Sequence, residues 1–178
     1  MNNQQTENKF NSDSVNLLLE TAKSEYESEH NRTSVIDSKA GISLPIISAY
    51  FLALAPMNNY KEIFLTKVSS FLDLLIPLAL LITYTASLIL SFISVILMVK
   101  VITTRKYMNV EHADLYDENY LKNDIIFISI KLFLLYTETT ENNKTKNNAR
   151  IPLYRKSWLL TIISIISFVV YIIICNNI

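Results

Sequence analysis

The chain has 178 residues, with 16 Lys and Arg balancing 16 Asp and Glu, and half of it (51%) is hydrophobic. Its single glycine, Gly41, excludes the glycine-rich phosphate loops, whose turns need several glycines. Its single cysteine, Cys175, excludes a disulfide framework and a thiolate zinc site, and the neutral total charge gives no global pull toward nucleic acid.

Residues 1–11 are rich in Asn and Gln and are predicted to form a disordered tail. A cytoplasmic helix is predicted over 12–41, capped by Ser12 or Asp13. Val15, Leu18, Ala22, Tyr26, Thr33, Ile36 and Ala40 recur on it at helical spacing, and Glu29 interrupts that seam. A first transmembrane helix is predicted at 42–60, inside a stretch from Ala40 to Tyr60 that has no charge. Pro45 sits in its first turn, where a missing N–H does little harm. An outer loop at 61–72 follows, with Asp73 at its edge.

The second span is predicted at 73–102. It contains 26 uncharged residues, Leu74 to Val99, and a bilayer needs only about 20. Thr83, Ser87, Ser91 and Ser94 fall on one of its faces. Two readings are open for this row: tight packing through small residues, or a hydroxyl-lined water path formed on oligomerisation.

A cytoplasmic helical insert is predicted at 103–156. The helix is expected to break near Asn109–Asp117 and to resume over 117–137, with Leu121, Ile125, Ile128, Leu132 and Leu135 on one face. The run IIFISIKLFLLY is too short to be a fourth span and carries Lys131. It suits a bundle core or a subunit interface, and a helix lying on the membrane ranks third. The polar stretch 137–150 reads as a mobile loop or a solvated helix end, and Pro152 as the restart of a helix. The third span is predicted at 157–176, with Ser157, Thr161, Ser164, Ser167 and Tyr171 in a second polar row. Tyr154 and Trp158 beside Arg155 and Lys156 form an interfacial anchor.

The predicted fold is therefore an all-α integral membrane protein. It has three transmembrane helices and a cytoplasmic helical domain formed by the N-terminal helix and the insert between spans two and three. Three helices apolar on all sides are hard to cover in a soluble globule of this size. The first forty residues are polar, so no cleaved signal peptide is expected. Lys and Arg set the orientation: four precede span one, two lie in the outer loop, and ten lie between spans two and three. Fourteen against two predicts a cytoplasmic N-terminus and an outer C-terminus.

Catalysis finds little support, and no cofactor or metal is expected. His30 reads as a surface residue and His112 as a loop residue, neither in a triad context. The carboxylates Asp37, Asp114, Asp117, Glu118 and Asp124 have nothing that pins a pair. No ionisable group lies deep in a span, which argues against a proton pump or ion-coupled transporter. Inverted repeats are not visible either.

At 29–57 the chain reads EHNRTSVIDSKAGISLPIISAYFLALAPM. Arg32, Asp37, Lys39, Ala40 and Gly41 meet an R-x-x-x-x-D-x-K-A-G pattern that runs directly into a membrane helix. In this it resembles the small prokaryotic membrane effectors of nucleotide-signalling antiphage defence. The nearest are the Pycsar transmembrane effectors and the channel-like effector of Hailong systems. The order of helix, two spans, helical insert and third span also agrees. The resemblance implies a homo-oligomer, with a tetramer as one arrangement, in the bacterial inner membrane. It also implies a nucleotide or oligonucleotide second messenger made by a cognate nucleotidyltransferase or cyclase, and an ion channel whose opening depolarises the cell and arrests growth. Anion recognition would fall to Arg32, Asp37, Lys39, Arg105, Lys106, Arg150, Arg155 and Lys156. The plainer roles for these residues are topological anchoring or an inter-helix salt bridge. The alternative function is a membrane-anchored scaffold that recruits a soluble partner through its cytoplasmic helices.

Overall fold

The computed structural model describes residues 11–54, 71–104, 107–110 and 124–176. These form three helices, α1 (Ser12–Leu54), α2 (Phe71–Thr103) and α3 (Ile125–Asn176), and no strand occurs among the described residues. All three helices are long and apolar enough to cross a membrane. At 1.5 Å per residue, α3 with its 52 residues is about 78 Å long, more than twice a bilayer core. The expected tail, most of the outer loop, the last residues of span one, Arg105, Lys106 and residues 111–117 of the expected break lie outside the described residues, while Asn109 and Val110, at its start, are not helical.

Three expectations about helix limits change. Asn11, rather than Ser12 or Asp13, caps α1: its Oδ1 accepts the Asp13 N–H at 3.0 Å, satisfying one of the free amides of the first turn. Residues 137–150 are neither a loop nor a helix end, and Pro152 restarts nothing, because α3 runs through both without interruption. The reason is packing: Thr139, Thr140, Asn143, Asn147 and Arg150 are buried at helical spacing, so this polar stretch is an inward face.

The buried residues follow a seven-residue repeat. On α1 they are Val15, Ala22, Glu29, Ile36 and Ser43, with Thr33, Ala40, Ile47 and Leu54 in a second row. On α2 they are Leu80, Ser87, Ser94 and Val101, with Tyr84, Ser91 and Met98 beside them. This repeat is the signature of long helices packed at shallow angles. Leu18, expected on the α1 seam, is exposed, and Leu19 falls in the repeat instead. Of the predicted apolar face of the insert, Ile128, Leu132 and Leu135 are half-buried, Leu121 lies outside the described residues, and Ile125 departs from it. Ile125 is 72% exposed and Ser129 is buried. In a run apolar on nearly all sides, composition cannot select a face, and the phase of the continuous helix decides it.

Every buried residue of α3 carries a hydroxyl, amide or guanidinium group. The large exposed residues of the apolar segments are Ile, Leu, Val and Phe, such as Ile42, Leu52, Ile89, Phe92, Leu159 and Ile166. Polar inside and apolar outside is the distribution a bilayer favours, since lipid offers no hydrophobic force between helices.

The chain divides into two compact units. The first holds the described residues up to Val35 and those from Tyr107 to Asn148. The second holds Ile36 to Leu54, α2 with Thr104, and Ala149 to Asn176.

Candidate functional site

In the second unit, α1 and α3 run parallel and α2 runs opposite to both. Ser87 Oγ donates to the Ser164 carbonyl at 3.0 Å, and Ser164 Oγ donates to the Ser87 carbonyl at 2.8 Å. Seven residues along each helix the pattern repeats. Ser94 Oγ donates to the Ser157 carbonyl at 2.7 Å, and Ser157 Oγ to the Ser94 carbonyl at 2.9 Å. Such reciprocal bonds need closely apposed backbones, which only small side chains permit. A hydroxyl has one proton, so these serines keep only acceptor capacity. Tyr50 Oη, 3.2 Å from Ser87 Oγ and 3.1 Å from Ser164 Oγ, supplies a donor from α1. Thr161 Oγ1 is placed for the same task at 2.7 Å from Ser94 Oγ.

The ladder continues in both directions. Ser167 Oγ donates to the Thr83 carbonyl at 2.8 Å, and Tyr84 Oη to the Leu54 carbonyl at 2.7 Å. On the other side, Trp158 Nε1 donates to Ser43 Oγ at 3.2 Å, and Tyr154 Oη lies 3.3 Å from the same oxygen. Of the row expected to line a path, Ser87, Ser91 and Ser94 are fully buried between helices. Ser91 Oγ bonds back to the Leu88 carbonyl at 3.0 Å. Thr83 is half-buried, off the seam, and bonds back to the Ala79 carbonyl at 2.9 Å.

Next comes a charged layer. Arg150, fully buried, donates Nε to the Val101 carbonyl at 2.8 Å and pairs through an η nitrogen with Asp37 Oδ1. One side chain thereby ties α3 to α1 and α2. Beside it lies an apolar cluster of Ile36, Ala40, Ile47, Met98 and Val101. Ala40 is fully buried there, so the motif needs a small residue at this point. A Cβ on Gly41 would meet nothing. Its position matters differently, because Pro45 cannot supply the N–H that the Gly41 carbonyl would otherwise accept. Lys39, Arg155 and Lys156 are exposed.

In the first unit the centre is Asn147, which is fully buried. Its Nδ2 donates to Glu29 Oε1 at 2.6 Å and to Thr33 Oγ1 at 2.8 Å, and its Oδ1 accepts Tyr107 Oη at 2.9 Å. Arg32 donates to Glu29 Oε2 at 3.2 Å and to Asn148 Oδ1 at 2.9 Å. Asn143 grips the backbone of Met108 twice, accepting its N–H at 3.1 Å and donating to its carbonyl at 2.8 Å. Tyr26 packs on Tyr136, with ring centroids 5.3 Å apart, and His30 is exposed as expected.

The cations of the expected anion site are thus divided. Arg32 belongs to the Glu29–Asn147 network, Arg150 to the Asp37–Val101 clamp, and Lys39, Arg155 and Lys156 are exposed. Sequence reasoning missed Glu29, Asn143 and Asn147 as a buried network. Two signals for it were present: Glu29 falls on the α1 seam, and Asn143, Asn147 and Arg150 follow one another at spacings of four and three. Comparison of the chain with known protein families, curated proteins and solved structures finds no match.

Proposed function

We propose that this chain is an oligomeric membrane effector of bacterial antiphage defence, an ion channel gated by a nucleotide or oligonucleotide signal. It lies in the inner membrane with its N-terminus in the cytoplasm. Its oligomer, with a tetramer as one arrangement, opens a path that depolarises the cell and arrests growth. The observation that carries this reading is the hydroxyl seam. Ser87, Ser94, Ser157, Thr161 and Ser164 form a polar column inside an apolar jacket, closed in this arrangement by bonds between helices. Each of those bonds is weak in a membrane, on average about 0.6 kcal/mol, so the column can part.

Moving a closed assembly from 1:99 to 99:1 requires about 5.5 kcal/mol of differential ligand binding. Shared over four subunits this is roughly 1.4 kcal/mol each, no more than one charge-assisted hydrogen bond. A partner nucleotidyltransferase or cyclase supplies the signal, and basic side chains of the cytoplasmic parts receive it.

The test is membrane potential in cells expressing the chain with and without its genomic neighbour. Absence of depolarisation under both conditions rejects the channel. The scaffold reading is favoured by one specific observation: the hydroxyls of Ser87, Ser91 and Ser94 are all engaged within the chain. Ser87→Ala with Ser94→Ala separates the two, because alanine keeps the close packing. A scaffold retains its function, whereas a channel that uses these hydroxyls loses conductance.

A further inference from the structure

Four cations stand apart from every network described above. Lys39 on α1, Lys100 on α2, and Arg155 and Lys156 on α3 are exposed, and none pairs with a carboxylate among the described residues. They share a level along the helices. The Asp37–Arg150–Val101 contacts define it, since they bring α1, α3 and α2 together at one height. Lys39 lies two residues from Asp37, Lys100 one from Val101, and Lys156 six from Arg150. At 1.5 Å per residue all four fall within about 9 Å along the axis. Asp37, the carboxylate at this level among the described residues, is held by Arg150.

We propose that Lys39, Lys100, Arg155 and Lys156 form a cationic collar that binds the phosphate groups of anionic phospholipids in the surrounding leaflet. The shared chemistry, a phosphate oxygen on an ammonium or guanidinium, would also suit a free nucleotide. Geometry selects the lipid. The space between the three helices at this level is filled by Ile36, Ala40, Met98, Val101 and the Arg150 side chain, so among the described residues the four cations enclose no pocket. A soluble nucleotide needs a concave site with converging donors. A leaflet needs none, because it presents phosphates all round the bundle at one height. It also covers the exposed Ile46, Leu159 and Ile162 just beyond the collar with its acyl chains. Long basic side chains at a span end reach the headgroup level. Half-buried Tyr154 sits at the same level and half-buried Trp158 two residues beyond Lys156, as amphipathic rings do at this boundary.

This assignment rests on the membrane part of the proposed function and on none of the rest. The experiment reconstitutes the full chain in nanodiscs of mixed phosphatidylcholine and phosphatidylglycerol. The lipid retained after detergent extraction is then measured by mass spectrometry. Wild type is expected to enrich phosphatidylglycerol at least about fivefold, the effect of a single basic residue near an anionic surface, and to lose the enrichment at high salt. Replacing all four residues by Gln abolishes the enrichment, while K39R/K100R/R155K/K156R retains it. Equal retention of both lipids by wild type overturns the collar, as does enrichment that survives the Gln replacements or high salt. Displacement of the retained lipid by added ATP overturns it in favour of a soluble nucleotide. Failure of the wild-type chain to enter nanodiscs overturns the membrane reading itself, whereas entry without enrichment overturns only the collar.

Discussion

Ser87 and Ser164 each donate their one hydroxyl proton to the other's backbone carbonyl, at 3.0 and 2.8 Å. The pair fixes two things together, the separation of α2 and α3 and their register. Ser94 and Ser157 repeat it seven residues away, so a slip of one residue would break both pairs.

Bulk at these positions and loss of the hydroxyl have different effects. Ser164→Ala keeps the backbones close and removes a bond worth on average about 0.6 kcal/mol in a bilayer. Ser164→Leu forces the helices apart and should cost several times more. Unfolding in mixed detergent micelles is expected to show a small shift for the alanine variant and a large one for the leucine variant. Similar shifts for both would mean the close approach is unimportant.

Arg150 has no access to solvent, and Asp37 and the Val101 carbonyl are among the groups that compensate its charge. Removing one partner of a fully buried pair typically costs about 3–5 kcal/mol, because the other charge stays behind, and the partial exposure of Asp37 puts this pair at the lower end. Asp37→Ala is therefore expected to destabilise the protein strongly, and adding Arg150→Met should recover part of the loss. A double-mutant cycle by chemical denaturation measures this. Additive losses would show that the pair is not coupled.

Asn143 holds Met108 through both backbone groups. Asn143→Ala leaves the Met108 N–H without that acceptor, so its amide hydrogen should exchange faster. Amides near Tyr154 in the other unit should be unaffected. Hydrogen-exchange mass spectrometry over residues 107–110 reads the difference. Asn147→Ala goes further: it removes one hydrogen bond each from the Glu29 carboxylate, the Thr33 hydroxyl and the Tyr107 hydroxyl at once, each worth roughly 0.5–1.5 kcal/mol.

Trp158 is the chain's one tryptophan, so its fluorescence reports a single place. It is half-buried and bonded to Ser43 at the charged end of the apolar segments. Brominated lipids should quench it best when the bromine lies near the headgroups and least when it lies at the bilayer centre. The opposite order would place this end of α3 deep in the membrane.

Much of the architecture can be read directly from the chain. Runs of twenty or more uncharged residues need lipid, or a cover that 178 residues cannot supply, so three long apolar helices follow from composition and length alone. The excess of Lys and Arg around Lys39, Lys100 and Arg155 is likewise written in the sequence, as is the spacing of the serines on α2. What local pattern could not decide is which polar residues face inward. Ser87, Glu29, Asn147 and Arg150 look like solvent-facing or pore-facing groups until a partner at the right height and phase is known. Those partners lie 77, 118 and 113 residues away for Ser87, Asn147 and Arg150. Helical periodicity says which residues share a face. Only the packing of three helices, with the phase of α3 carried unbroken past Pro152, says which face meets another helix and which meets lipid or water.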